Sequence, residues 1–167
     1  MRTVWIYAIA MTLLVAAPLR AADTAKVVSV VDGDTLNIDR GRGKERTILY
    51  GVDCPEMDQP SGEAARKFTD DACWRKTVKI EEKGADSKGR VVAVVWLPDG
   101  TNLNEELVRR GLAWWSDKYA PKDVKLKGLQ AAAQMSKAGL WATPNAVAPW
   151  VWRNGQKNVG AKLLPSQ

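Results

Sequence analysis

Apolar and polar residues alternate over Lys26 to Val31 and again over Thr35 to Asp39, on either side of Asp32-Gly33. A period of two belongs to a strand with one buried face, and Asp-Gly between two such runs is a strong hairpin signal. Arg46 to Tyr50 reads as a third strand. Over Gly62 to Trp74 the period changes, with Ala65, Phe68 and Ala72 at helical spacing. Thr77 to Glu82 returns to alternation, Val78 and Ile80 against Lys79 and Glu81. Val91 to Trp96 is apolar and β-branched, which predicts a buried strand, and Pro98-Asp99-Gly100 predicts a turn. Asn104 to Arg110 predicts a short helix stopped by Gly111. Asp123 to Ala138 predicts a longer one, with Leu126, Leu129, Ala133 and Leu140 on one stripe. This order predicts an α+β chain, mainly β, in which five strands close a Greek-key barrel of the oligonucleotide-binding (OB) type with three flanking helices. From Thr143 the chain is rich in Pro and Trp, and Trp150 and Trp152 are expected to pin this tail to the barrel. There is no internal repeat.

The two ends have a different character. Arg2 is followed by an uncharged apolar run from Val4 to Leu19, then by small residues around Ala21 and Ala22. That order is a secretory signal peptide cleaved after Ala21. The run is short for a membrane anchor, and no later stretch is apolar enough to cross a bilayer. The expected division is a leader over 1–21, one domain over 22–153 and a polar, fraying tail over 154–167. The expected location is the periplasm or the exterior.

The full chain has 25 basic and 19 acidic residues. Loss of Arg2 and Arg20 with the leader reduces the surplus to four, which suits an anionic partner and is also ordinary for a soluble protein. The absence of His is more telling. It excludes His acid–base chemistry, Ser-His-Asp hydrolysis and His-ligated zinc. Two Cys, Cys54 and Cys73, are too few for a structural zinc site. In an oxidising compartment they form either one disulfide or two buried thiols, Cys73 lying on the apolar face of its helix.

Catalysis, if any, must therefore run on carboxylates, Arg, Lys, Tyr or a hard metal. Three segments carry such groups: Asp32-Gly33-Asp34-Thr35, Asp53-Cys54-Pro55-Glu56 and Asp86-Ser87-Lys88-Gly89-Arg90. A hairpin turn accounts for Asp32 but not for Asp34 at the start of the next strand. Asp53 and Glu56 flank a Pro turn and repel each other unless a positive charge lies between them; the alternative is an exposed acidic turn. Arg90, taken alone, is a surface residue at a strand edge. Together the three segments suit phosphodiester hydrolysis: a hard cation on Asp34 and Asp53, a further carboxylate for water, and an Arg for the charge on phosphate.

The same residues carry a resemblance. Val31-Asp32-Gly33-Asp34-Thr35, Tyr50-Gly51-Val52-Asp53-Cys54-Pro55-Glu56, Gly62-Glu63-Ala64, Asp86-Ser87-Lys88-Gly89-Arg90, Leu103-Asn104-Glu105-Glu106-Leu107-Val108-Arg109-Arg110-Gly111-Leu112-Ala113 and Gly139-Leu140-Trp141 follow in order along almost the whole mature chain. In this the chain resembles the staphylococcal nuclease (thermonuclease) family. The resemblance implies an SNase-like OB barrel and calcium-assisted (Ca2+) hydrolysis of DNA and RNA. It implies calcium ligation by Asp34, Asp53 and the main-chain carbonyl of Cys54, with Asp32 as an outer partner. It also implies Glu56 as general base, Arg90 as one of two catalytic arginines, and Lys88 and Tyr119 near the nucleotide. One position departs. Members of the family often read Ile-Arg-Leu-Tyr-Gly where this chain reads Thr47-Ile48-Leu49-Tyr50-Gly51, so Ile48 stands where the first catalytic arginine belongs. Arg46 shares its strand face, roughly 6.5–7 Å away, and either leans toward the site or is a solvated charge.

Three functions remain in view: an exported nuclease, a catalytically weak or inactive binding module of the same fold, and an envelope adhesion domain suggested only by the Trp-rich tail. The carboxylate set favours the enzyme, since a pure binding module has no use for it. A monomer without a protein partner or membrane anchor is expected.

Overall fold

The structure is a computed structural model in which residues 23–155 are described. The leader, and the tail beyond 155, lie outside the described residues. Among the described residues no helix is long and apolar enough to cross a membrane.

β1 (Thr24–Val30), β2 (Thr35–Asp39) and β3 (Lys44–Leu49) form an antiparallel meander. β4 (Val52–Asp53) follows, and α1 (Gly62–Cys73) leads to β5 (Thr77–Ala85) and β6 (Val91–Trp96). β6 pairs antiparallel with β5 and parallel with β3, and β5 pairs with β1. The barrel thus closes in the order β1-β2-β3-β6-β5. The parallel β3/β6 step requires a long crossover, which α1 and β5 supply. Val27, Leu36, Ile38, Leu49, Val78 and Val95 are fully buried, each on the inward beat of its strand. β5 runs on to Ala85, past the alternation that ends at Glu82, because its outer end pairs with β6 through an irregularity at Glu82/Gly84 while both of its faces are exposed.

α2 (Leu103–Arg109) begins at Asn102, whose side chain caps Glu105 N–H, and buries Leu103, Leu107 and Val108. β7 (Trp114–Trp115) pairs with β4. α3 (Val124–Met135) starts at Asp123, which caps Leu126 N–H at 2.9 Å. α3 stops three residues short of the expected Ala138, and Leu140 does not extend its stripe. Lys137 takes a positive φ of 52°, and Leu140 N–H bonds Gly111 O at 2.8 Å. Leu140 is buried from a 3-10 turn over Gly139–Ala142 instead. A side chain at Gly139 would stand 2.3 Å from Gly111 O, so the two glycines allow this backbone contact. α4 (Pro149–Arg153) ends the described domain.

One polar side chain ties these layers together. Asn104 is 2 % exposed; its Oδ1 accepts Val95 N–H at 3.0 Å, and its Nδ2 donates to Tyr50 O at 2.9 Å and Ala93 O at 3.2 Å. It joins α2 to β6 and to the turn between β3 and β4. Asn104→Ala leaves buried backbone groups without partners and should cost about 2–4 kcal/mol. Urea denaturation should show the midpoint falling with an unchanged slope; a midpoint within error of the parent would remove Asn104 from this role.

Candidate active site

Two loops meet beside the barrel. The first joins β1 to β2 and carries Asp32, Gly33 and Asp34. The second follows β4 and carries Cys54, Pro55 and Glu56. Their contact depends on Gly33: a Cβ there would stand 2.7 Å from Cβ and Sγ of Cys54 and 2.8 Å from Cβ of Ala65 on α1. Gly33 O accepts the Thr69 hydroxyl at 2.6 Å, which fixes the first loop to α1. Asp34 then reaches across. Its Oδ2 accepts Cys54 N–H at 2.7 Å and its Oδ1 accepts the Thr35 hydroxyl at 3.1 Å. Asp32 folds back to accept Asp34 N–H at 3.1 Å.

The second loop is held as firmly. β4 pairs Asp53 with Trp114. Glu56 N–H bonds Gln59 Oε1 at 3.1 Å, and Gln59 N–H returns to Glu56 O at 2.9 Å. Gly62, the first residue of α1, lies against Glu56 O so closely that a Cβ would overlap it.

The result is a convergence of acids. Burial raises the Asp34 carboxyl well above the usual carboxylate range, and the charges of Asp32 and Asp53 raise it further. Burial also pushes the Cys54 thiol up, helped by Asp34, Asp32, Asp53 and Glu56 in that order. Cys73, pushed up to about 12 mainly by burial, donates to Thr69 O at 3.0 Å. Both cysteines are free and buried, so of the two alternatives the structure has the pair of buried thiols and not the Cys54–Cys73 disulfide. Each sulfur already has a packed place: Cys54 against Gly33, Cys73 on its own helix. Neither is a thiolate near neutral pH.

The other candidates lie outside this cluster. Arg90 opens β6, and its guanidinium is bound by Asp86 at 2.6 and 2.7 Å. Asp86 also accepts the backbone N–H groups of Lys88 and Arg90, which shapes the loop, and the Arg90 contacts lower its carboxyl. Lys88 is exposed on that loop. Tyr119 is 65 % exposed, with the Lys118 ammonium 5.0 Å from its ring, on a segment whose Ser116 N–H bonds Gly51 O. Ile48 pairs with Thr35 and Val92 in the sheet, one residue before Leu49, whose N–H bonds Asp34 O at 2.8 Å. Arg46 pairs with Asn37 two residues farther along and is exposed, and its guanidinium makes no hydrogen bond or ion pair to any described residue.

A family model described as staphylococcal nuclease homologue matches residues 46–143. The chain belongs to the staphylococcal nuclease homologue family. It is 35 % identical over 160 residues to a Shigella flexneri protein named micrococcal nuclease, covering 90 % of this chain and 92 % of that protein. It is 33 % identical over 155 residues to Protein ParB of Escherichia coli, at 87 % and 88 % coverage. An uncharacterized endonuclease of Escherichia coli is 36 % identical over 138 residues, at 82 % and 90 % coverage. This staphylococcal nuclease homologue thus keeps the closed five-stranded barrel that its strand pattern predicts.

The site also contains a residue that the motifs do not reveal. Arg153, from α4, donates Nη1 to Asp53 Oδ1 at 3.0 Å and to Glu56 Oε1 at 2.6 Å, and Nη2 to Asp53 Oδ2 at 2.7 Å. α4 is held there by contacts along its approach. Trp150 meets Trp114 edge to face at 5.6 Å, Gln59 Nε2 bonds Val147 O at 2.6 Å, and Trp152 Nε1 bonds Asp58 Oδ1 at 2.9 Å. The sequence signal for Arg153 is indirect: a cation one residue past two pinning Trp residues, and acidic loops in need of one.

Does the donor set suit a hard cation? Among the described residues no three Asp, Glu, Cys or His side chains are grouped as a metal cluster. Asp34 is nonetheless a half-buried carboxylate opposed by the charges of Asp32 and Asp53, with no cation bonded to it among the described residues. A hard cation between Asp34 and Asp53 fits that need, completing its shell from main chain and water. Without one, ionised Asp34 destabilises the fold: a raised folded-state value means the cost is absent below the ordinary carboxylate range and fully present at high pH. Asp34→Asn should therefore stabilise the protein at pH 7 in chelator, by on the order of 1 kcal/mol. The gain should shrink as pH falls into the carboxylate range. Urea midpoints at several pH values measure it, and a destabilised Asn variant at pH 7 would show that Asp34 is not a strained charge.

Proposed function

We propose that this protein is an exported, calcium-dependent phosphodiesterase that cleaves DNA and RNA. The observation that carries the proposal is the meeting of Asp34, Asp53 and Glu56 through the Gly33–Cys54 contact, in a chain whose relatives bear the names micrococcal nuclease and endonuclease. The leader-like first 21 residues support export.

Asp34, Asp53 and the carbonyl of Cys54 would hold the cation, with Asp32 steadying Asp34. When bound, calcium supplies a positive charge to a phosphate oxygen and lowers the cost of the negative charge that gathers there. Glu56, fixed by Gln59 and Gly62, is set to orient a water and take its proton as the water oxygen bonds to phosphorus. The phosphorus–oxygen bond to the leaving group breaks with its electron pair, and the alkoxide released takes a proton from solvent water. Arg90, steadied by Asp86, turns toward the equatorial oxygens. Tyr119 is free to stack on a base, which supports a mild preference for single strands. The modest basic surplus supports backbone recognition with shallow salt dependence.

A binding module with little catalysis is the second reading, favoured by one observation: Ile48, not an arginine, stands in β3 opposite Thr35, the neighbour of Asp34. Plasmid cleavage with calcium, with and without chelator, separates the two. Cleavage that requires calcium and stops with chelator is expected; undiminished cleavage in excess chelator would sink the metal-dependent reading.

Glu56→Gln and Arg90→Ala should each lower kcat by about 10²–10³-fold with a thermal midpoint close to the parent's. Turnover at saturating substrate is the measurement, and variants that cleave like the parent would displace both residues from their roles.

A further inference from the structure

We propose that Arg153 is a catalytic residue, the second guanidinium of the site, supplied by the C-terminal helix in place of an arginine at position 48. The inference rests on the nuclease reading above. A guanidinium has five N–H donors. Three are used: Nη1 and Nη2 grip Asp53 as a fork, and the second Nη1 hydrogen goes to Glu56. The two that remain, Nε–H and the second Nη2–H, are adjacent and parallel, and among the described residues neither has an acceptor. Such an edge matches two oxygens of a phosphate. The side chain is 47 % exposed, and its other donors are fixed by the acids that would handle metal and water.

Charge leads to the same assignment. Asp32, Asp34, Asp53 and Glu56 all lie close enough to raise the Cys54 thiol, and Arg153 is bonded to two of them, Asp53 and Glu56. With a divalent ion but no Arg153, the cluster would stay doubly negative and repel a phosphodiester. The guanidinium halves that charge and aims donors at the anion. Arg46 does not do this, being exposed and paired with Asn37 two residues before Ile48, and Arg90, held by Asp86, supplies the other guanidinium without touching these acids. The competing role is a plug, in which Arg153 merely occupies Asp53 until calcium displaces it. The two roles predict opposite behaviour.

The test uses the mature full chain, its Arg153→Ala and Arg153→Lys variants, and a fluorescent single-stranded oligonucleotide, with thermal midpoints to show that all are folded. Cleavage kinetics are measured with calcium, and calcium affinity is measured by calorimetry without DNA. A catalytic Arg153 requires kcat to fall by about 10²–10³-fold in both variants, with KM within about threefold of the parent. Lys should not rescue, because it cannot present two parallel donors. Calcium affinity should change by less than about threefold. Unchanged or faster turnover in Arg153→Ala, with calcium bound about tenfold tighter or more, would make Arg153 a plug and overturn the proposal. Full rescue by Lys would overturn the bidentate contact. A parent that binds the oligonucleotide but never cuts it overturns the nuclease reading itself, and a cutting parent with unimpaired variants overturns only the role of Arg153.

Discussion

Gly33 has no side chain, and the place where one would stand is taken by Cys54 and Ala65. The rest of the site depends on that contact. With the two backbones so close, Asp34 meets the amide of Cys54 directly, and the acid of one loop becomes part of the floor of the other. The contact also anchors both loops to α1, through Thr69 for the first and Gly62 for the second. A larger residue at position 33 would leave each loop intact and separate them, and two isolated acidic turns cannot share a cation. The barrel supplies the rigidity for this meeting: Leu49 N–H bonds Asp34 O at 2.8 Å, so the first loop is fixed to β3 as well.

Bringing carboxylates together under partial burial has a cost, and the chain meets it from a distance. Arg153 is 100 residues from Asp53 and 97 from Glu56. A long side chain on a five-residue helix would not remain over the site unaided. The aromatic stack supplies what the ion pair lacks. Trp114 lies between Trp141 at 4.4 Å and Trp150 at 5.6 Å, and the same Trp114 backbone pairs with Asp53 in the β4/β7 ladder. One residue therefore positions the acid through its main chain and the approaching cation through its ring. The tail's tryptophans serve the site, which weakens any separate adhesive role for them.

How much of this is legible in the sequence follows from the range of each interaction. The barrel strands are legible because burial writes a period of two into Val27, Leu36, Ile38 and Val78 and fills β6 with a β-branched apolar run. The acidic loops are legible as well: Asp-Gly turns and a Pro after Asp53 are local signals, and their residues match a family pattern. β4 and β7, at two residues each, are too short to show a period. The end of α3 is misjudged because Leu140 keeps the helical spacing while a contact between Gly111 and Gly139 takes it off the helix. The thiols of Cys54 and Cys73 look pairable along the chain, yet each packs elsewhere. Arg153 leaves no local mark at all, since its partners lie about a hundred residues away.

That separation has a consequence for how the site forms. Closing a loop of this length carries an entropy cost that grows only slowly with length but must be met before any contact is gained. The ion pair is partly exposed, and such pairs contribute little by themselves. Arg153 is therefore held by surfaces that must exist first: the β4/β7 ladder, the 3-10 turn that carries Trp141, and the Glu56–Gln59 turn that receives Val147. Each of these rests on the closed barrel or on α1. The acidic half of the site needs the barrel, α1 and the β4/β7 ladder that holds Asp53, and its guanidinium docks onto that platform. A phosphodiester would meet net negative charge until that last step, so the competence to bind one is tied to docking of the chain's end rather than to closure of the barrel.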